Sequence, residues 1–545
     1  MDIKKIVDKM NIDELCSQVL AHDIQNKDTN VETKTVIDKD NPGALYVSQV
    51  EYRTIRELGD KAKSDKEWRD YATKKSGYPT LMTTDAEYGP GSFSKPLPEM
   101  PNPMAWGACN DEKLIESAGE LTGRILRKYG INHILAPVVD LNINFENPLV
   151  GIRSISDDPN RVIRIAGAYI RGVQKNGYVG ACLKHFPGDG LDDRNQHFLT
   201  TVNSYSKSKW MKTYGKVYKA LFRQGVMSVM VGHISCPAFQ ENETDVYGSL
   251  PGSISKNLIT GLLKGTLGFK GCVISDAMSM IGVCARVPTE RLGVAFFNAG
   301  GDLMLFPEDG EKERLVNAVK NGEIPLERIK DAATRVLEMK ERLRLFENQN
   351  EIETEIGNVD KDIDRLYLLS QEIADKAVKI VRNYDNVLPV TKQTGKVLLI
   401  NLTGHFFDLT PDGTEFRVIE NEFRSYGWEV TSLYNPRHRE VEKIMNEYDL
   451  VVVETLITYH GSTLRVGWNN FMALWRGFIL HHPNIVFLSL DDPYKLYDFP
   501  YAKTYINTFG DAEVLQKSAV KLILGKIESK GKNPVTFKGY FTRED

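Results

Sequence analysis

Gly180-Ala-Cys-Leu-Lys184-His185-Phe-Pro187-Gly188-Asp189-Gly190-Leu-Asp192-Asp193-Arg194-Asn195-Gln196-His197 turns from apolar to polar at one point. A short apolar run ends in a Lys-His pair, and Pro187, Gly188 and Gly190 then forbid any strand or helix from continuing. The chain must leave a sheet here as a polar loop. Two histidines, a lysine and three aspartates fall within that span, a density of titratable groups that a purely structural loop does not need.

The apolar run has counterparts on both sides. Gly43 to Val47, Thr80 to Thr84, Ile131 to Pro137, Val179 to Lys184, Met227 to Val231, Cys272 to Ser275 and Asp302 to Phe306 are short and separated by longer helical patterns. Their apolarity is continuous and not alternating, which indicates strands buried on both faces, as in a parallel sheet covered by helices. Seven or eight such βα units within roughly the first three hundred residues predict a (β/α)8 barrel in preference to an open doubly wound sheet. The open sheet has no G-x-G-x-x-G fingerprint to support it. No Walker loop, H-E-x-x-H or G-x-S-x-G is present either. Near the start, Asn11 stands before an apolar-periodic run with Glu14 three residues on, which predicts a capped helix opening the barrel.

At 545 residues the chain exceeds what one core usually supports, so two domains are expected. We expect the barrel over 1–346, a connecting stretch and helix over 347–384, and a smaller α/β sandwich over 385–545. The region Glu347 to Lys361 is mostly polar. Leu366, Leu369, Ile373, Ala377 and Ile380 then mark one face of a helix. Val397 to Asn401, Leu450 to Glu454 and Ile485 to Leu490 read as strands of the second domain. The last residues, Lys530 to Asp545, are expected to pack loosely.

A hydrophobic fraction of 41%, a charged fraction of 26% and a net charge of −4 are ordinary for a globular protein and advertise neither nucleic acid nor an anionic membrane. Met1-Asp-Ile-Lys-Lys-Ile-Val-Asp-Lys9 carries charges where a signal peptide needs its apolar core, and no long apolar run follows, so a cytoplasmic location is expected. Cysteines 16, 109, 182, 236, 272 and 284 have no paired spacing and read as buried free thiols, not as a disulfide frame or a zinc site.

Asp276 follows the apolar run Cys272 to Ser275 and therefore belongs at the C-terminal rim of a barrel, where active sites are built. An aspartate at a strand end also serves as a helix cap, and position alone leaves both roles open. An imidazole such as that of His197, with an ordinary pKa of about 6.5, is suited to acid/base work near neutrality.

Lys184-His185-Phe-Pro-Gly-x-Gly followed seven residues later by His197 resembles the signature loop of glycoside hydrolase family 3, and most closely that of its β-N-acetylglucosaminidase branch. Pro101-Asn-Pro-Met104, Leu135-Ala-Pro-Val-Val-Asp-Leu-Asn142, Asn147-Pro148, Val150-Gly-Ile-Arg153-Ser-Ile-Ser-Asp-Asp-Pro159, Tyr169-Ile-Arg-Gly-Val-Gln174 and Gly232-His-Ile-Ser-Cys-Pro-Ala238 are similar to family blocks in the family's order. Asn383-Tyr-Asp-Asn-Val-Leu-Pro389 resembles its connection into a second domain. The resemblance implies a retaining glycosidase with Asp276 as nucleophile and His197 as acid/base. It further implies Asp85, Arg153, Lys184 and His185 as ligands of sugar hydroxyls, with His233 lining the pocket. No metal or organic cofactor is implied; the only partner is a carbohydrate substrate.

Two departures stand out. The family's aspartate two residues before the acid/base histidine is Asn195 here, whose carbonyl accepts a ring N–H but carries no charge; Asp192 or Asp193 is the alternative source of one. Ala86-Glu87-Tyr88-Gly89-Pro90 stands where the branch commonly has Gln-Glu-Gly-Gly-Arg, so Tyr88 is left to offer a stacking face. Three alternatives accompany the glucosaminidase expectation. A β-N-acetylglucosaminide phosphorylase is the first, since a histidine in place of a carboxylate repels phosphate less. A β-glucosidase and a sugar-binding pseudoenzyme are the others.

Overall fold

A computed structural model of the chain describes residues 1–24, 30–48, 55–403, 417–456, 472 and 475–545. They form two compact units. The first comprises Met1–Glu99, Glu112–Leu141 and Val162–Tyr367, and the second Met100–Asp111, Asn142–Arg161 and Leu368–Asp545.

The first unit is an eight-stranded parallel barrel. Its strands are β1 (Leu20–Ile24), β2 (Ala44–Val47), β3 (Leu81–Thr84), β4 (His133–Ile134), β5 (Gly180–Phe186), β6 (Ser228–Val231), β7 (Cys272–Ser275) and β8 (Met304–Leu305). Neighbours pair in the order β7-β6-β5-β4-β3-β2-β1-β8, and a parallel bridge between Ile274 and Leu303 closes the ring. Every strand position except Asp23 is buried, which is why the strands read as unbroken apolar runs. The seven runs named above are all strands. The eighth, β1, was not among them because His22 and Asp23 interrupt its apolarity. His22 is nonetheless buried against Asp40 at 2.9 Å.

Asn11 caps the helix Ile12–Gln18 as its spacing predicts: its Oδ1 accepts from Glu14 N–H at 2.9 Å, and the Glu14 carboxylate accepts from Asn11 N–H at 2.8 Å. The stretch after the barrel folds as helices Gln349–Ile356 and Asp360–Ala377. Ile352, Ile356 and Val359, the only large apolar residues of its polar part, are all buried.

The second unit is built on β9 (Lys379–Asn383), β10 (Lys396–Thr403), β11 (Glu429–Tyr434), β12 (Leu450–Leu456), β13 (Ile485–Ser489) and β14 (Thr504–Asn507). The sheet order is β9-β14-β13-β12-β10-β11, with β9 antiparallel to β14 and every other pair parallel. Flanked by helices such as Arg417–Ser425 and Glu513–Ile523, it is an α/β sandwich. The C-terminal residues correct the expectation of loose packing. Val535, Phe537 and Phe541 are buried, and the ring of Phe537 meets Phe145, Tyr494 and Tyr540. Arg161 donates to the Asn533 carbonyl at 2.7 Å. Three apolar side chains in a short polar tail give little periodicity to read, yet all are buried, and Phe537 and Phe541 meet in one aromatic cluster.

All six cysteines are free, and four of them are buried. Among the described residues no helix is long and apolar enough to cross a membrane.

Candidate active site

Parallel strands of a barrel deliver their C-terminal ends to one rim, so residues far apart in sequence meet there. Asp85 directly follows β3, Lys184 and His185 lie on β5, His233 comes two residues after β6, and Asp276 directly follows β7.

Lys184 is the hub. Its side chain is 3% exposed and its Nζ lies 2.9 Å from Asp85 Oδ1 and 2.7 Å from Glu87 Oε1. A buried ammonium needs such partners, since an unpaired charge in that position costs several kcal/mol, on the order of 3–5. The other oxygen of Asp85, Oδ2, accepts from Tyr46 Oη on β2 at 2.6 Å. Burial and the neighbouring carboxylate push the Tyr46 phenol up, which keeps it a donor. Asp85 is thus held at both oxygens while about a third of its side chain remains open, 32% by exposure. Its open edge can accept further hydrogen bonds.

His185 is oriented from behind. Its Nδ1–H donates to Asp140 Oδ2 at 2.7 Å, and its main-chain N–H lies 3.2 Å from both Asp140 oxygens. Asp140 also accepts from Asp189 N–H at 2.8 Å, so one buried carboxylate fixes both the imidazole and the following loop. The loop is tied down elsewhere as well. Trp210 Nε1, Asn203 Nδ2 and Tyr214 Oη donate to the carbonyls of Pro187, Gly188 and Asp189 at 2.8, 2.9 and 2.6 Å. Gly188 has φ +112°, and a Cβ there would lie 2.2 Å from the Tyr214 ring, so only glycine fits.

Asp276 Oδ1 accepts from Ala277 N–H at 2.8 Å. Burial pushes its carboxyl up, but the opposing pull of His185, His233, the Ala277 N–H and Lys184 leaves it below the ordinary aspartate range. His233 is fully buried; its Nε2–H donates to the Ala277 carbonyl at 2.9 Å and its Nδ1 accepts from Ser253 Oγ at 2.8 Å. Burial holds its pKa below the usual histidine value. With both nitrogens engaged by protein, His233 braces the residue next to Asp276.

His197 lies on the exposed part of the loop. Asn195 Oδ1 accepts both its Nδ1–H, at 2.7 Å, and its main-chain N–H, at 3.0 Å. An acceptor facing Nδ1 fixes the tautomer that carries its proton there. The Asp192 carboxylate is engaged by Arg194, at 2.6 and 2.8 Å, and by Val202 N–H at 2.9 Å. Arg153 belongs to the second unit, where it donates to the Leu149 carbonyl at 3.2 Å.

Tyr46, Glu87 and Asp140 were not anticipated as site residues. Asp140 had a readable signal, since it follows an apolar run as Asp85 and Asp276 do. Tyr46 had none, because its role depends on which strand lies beside β2. Among the described residues, no group of three or more His, Cys, Asp or Glu side chains is arranged to hold a metal ion.

The Glycosyl hydrolase family 3 N terminal domain matches residues 11–339. A β-N-acetylglucosaminidase/β-glucosidase of Cellulomonas fimi is 29% identical over 475 residues, covering 84% of this chain and 83% of that protein. A structure described as the β-glucoside phosphorylase BglX bound to 2FGlc superposes with a TM-score of 0.86 at 27% identity, over 98% of this chain and 96% of that one. A family 3 β-N-acetylglucosaminidase from Paenibacillus shares the fold, with a TM-score of 0.81 at 22% identity over 97% and 99% of the two chains. Since the matched domain takes in more than half of the 545 residues and contains both the barrel rim and its loop, the chain belongs to glycoside hydrolase family 3.

Proposed function

We propose that the protein is a retaining β-glycosidase that removes terminal β-N-acetylglucosamine from glycans or cell-wall fragments. What supports this reading is the placement of Asp276 directly after β7, at the same barrel rim at which Lys184 holds Asp85 and Asp140 holds His185. A sugar whose hydroxyls engage Asp85, Lys184 and His185 presents its anomeric carbon to Asp276. The carboxylate attacks that carbon and forms a covalent glycosyl-enzyme, while His197 Nε2–H gives its proton to the departing oxygen. His197 then takes a proton from the incoming acceptor as the ester is displaced.

A second reading is phosphorolysis on the same covalent intermediate. It is favoured by the amide of Asn195 as the acceptor of the His197 Nδ1–H and by the description of the 27%-identical structure as a β-glucoside phosphorylase. Phosphate meets less repulsion from a histidine than from a second carboxylate. Aryl β-N-acetylglucosaminide and aryl β-glucoside, each with and without inorganic phosphate, separate the readings. Phosphate-independent release from the glucosaminide supports the first. A glycosyl phosphate product supports the second, and turnover of the glucoside alone overturns the sugar assignment.

A further inference from the structure

Three loops on the C-terminal side of the barrel carry large apolar side chains in solvent. Phe198 is 55% exposed, Ile281 53%, Val246 91% and Tyr247 74%. They come from the loop after β5, the loop after β7 and a hairpin between β6 and β7 whose strands Thr244–Asp245 and Gly248–Ser249 pair antiparallel. Exposed apolar residues scattered singly need no explanation, but the loops that carry these are tied to one another.

Arg286 does the holding. Its side chain is 6% exposed, and its guanidinium forms a two-point ion pair with Asp245 at 2.6 and 2.8 Å. It also donates to Thr200 Oγ1 at 3.0 Å and to the carbonyls of Gly248 and Ser249 at 3.0 and 3.1 Å, and lies 5.7 Å from the Tyr247 ring centroid. Thr200 Oγ1 donates onward to the Gly282 carbonyl at 2.7 Å. The hairpin, the His197 loop and the segment carrying Ile281 are therefore one braced structure. At Gly282 the backbones abut, since a Cβ there would lie 2.6 Å from the Gln196 carbonyl and 3.0 Å from His233 Cβ. A bidentate arginine–carboxylate pair adds geometric specificity that a free surface loop does not require.

We propose that Phe198, Ile281 and Tyr247 form a platform for the leaving group of the substrate, accepting one with a flat apolar face: an aryl ring or the C–H face of a second pyranose. The proposal rests on the glycosidase reading above. Phe198 adjoins His197, and Nε2 of His197 must reach the glycosidic oxygen, so whatever that oxygen carries departs along this rim. Stacking on apolar side chains suits a flat body and gives a methyl group almost nothing to touch.

The test compares wild type with Tyr247→Ser and Ile281→Ser on three β-glycosides of one sugar: methyl, aryl and a disaccharide. Sedimentation of each protein and the rate of covalent labelling by a fluorosugar whose leaving group is fluoride are measured alongside. The expected result is a roughly 5- to 20-fold fall in kcat/KM, mostly through KM, for the aryl glycoside, the disaccharide or both; which of them responds identifies the source of the flat face. Methyl glycoside turnover and labelling stay within about twofold. Equal losses on all three glycosides overturn the proposal, as does no loss on any. A change of oligomeric state without a change in selectivity also overturns it, because a second copy then covers the rim. A wild type that turns over none of the three and is not labelled sinks the glycosidase reading itself, and the platform with it.

Discussion

His197 Nδ1 lies 2.7 Å from Asn195 Oδ1, so an amide oxygen orients the candidate acid/base. Replacing Asn195 by aspartate keeps the acceptor and adds a carboxylate, which favours imidazolium. The general acid must be protonated when the glycosidic oxygen leaves. We expect Asn195→Asp to raise turnover of methyl or disaccharide substrates several-fold and to move the basic limb of kcat/KM to higher pH; one pKa unit corresponds to about 1.4 kcal/mol, or tenfold. Activated aryl substrates should barely respond. An unchanged pH profile and unchanged alkyl turnover would show that His197 is not the acid or already has a charged partner.

Asp276→Asn should leave the fold intact and lower turnover by roughly 10³-fold or more, because the covalent intermediate needs an anionic nucleophile. A fluorosugar inactivator should label Asp276 in the wild type. A label found by mass spectrometry on any other carboxylate removes Asp276 from its role.

Tyr46→Phe deletes the hydroxyl that donates to Asp85 Oδ2 at 2.6 Å. A hydrogen bond to a charged group contributes about 1.5–3 kcal/mol, so kcat/KM should fall about 10- to 100-fold if Asp85 binds sugar hydroxyls. The loss should shrink on deoxy-sugar substrates that lack the hydroxyl facing Asp85. An equal loss on every deoxy substrate would mean that Tyr46 supports the barrel and not the sugar.

Lys340 is fully buried with its Nζ bonded to Gln18 Oε1 at 2.7 Å, and burial lowers its pKa from the ordinary 10.5 to about 7. Above about pH 10.5 the lysine is neutral in both states and costs nothing. As pH falls towards 7 the unfolded chain takes up a proton that the folded one refuses, so this group's destabilisation grows, and below 7 it is complete. A shift of that size corresponds to on the order of 4–5 kcal/mol. Lys340→Met removes that cost but strands the Gln18 oxygen, worth about 1–3 kcal/mol. A net gain of about 2–3 kcal/mol at neutral pH is expected in denaturant unfolding, shrinking and then reversing towards pH 10. A variant less stable at pH 7 would contradict this.

Much of the architecture is legible in local sequence because its cause is local. Strands buried on both faces must be continuously apolar, so seven of the eight barrel strands read directly, and Asn11 with Glu14 specifies its own cap. Asp276 reads as a rim residue because it directly follows such a strand. The tertiary structure alone decided which side chains act on which. Asp140 reaches His185 across 45 positions, and Lys184 reaches Asp85 across 99, because the parallel strands of a barrel end at one rim whatever the length of chain between them. The burial of His22 on β1, and that of Phe537 and Phe541 in the tail, likewise depends on partners distant in sequence. Composition and periodicity report what a segment needs to bury; only the folded chain supplies what it is buried against.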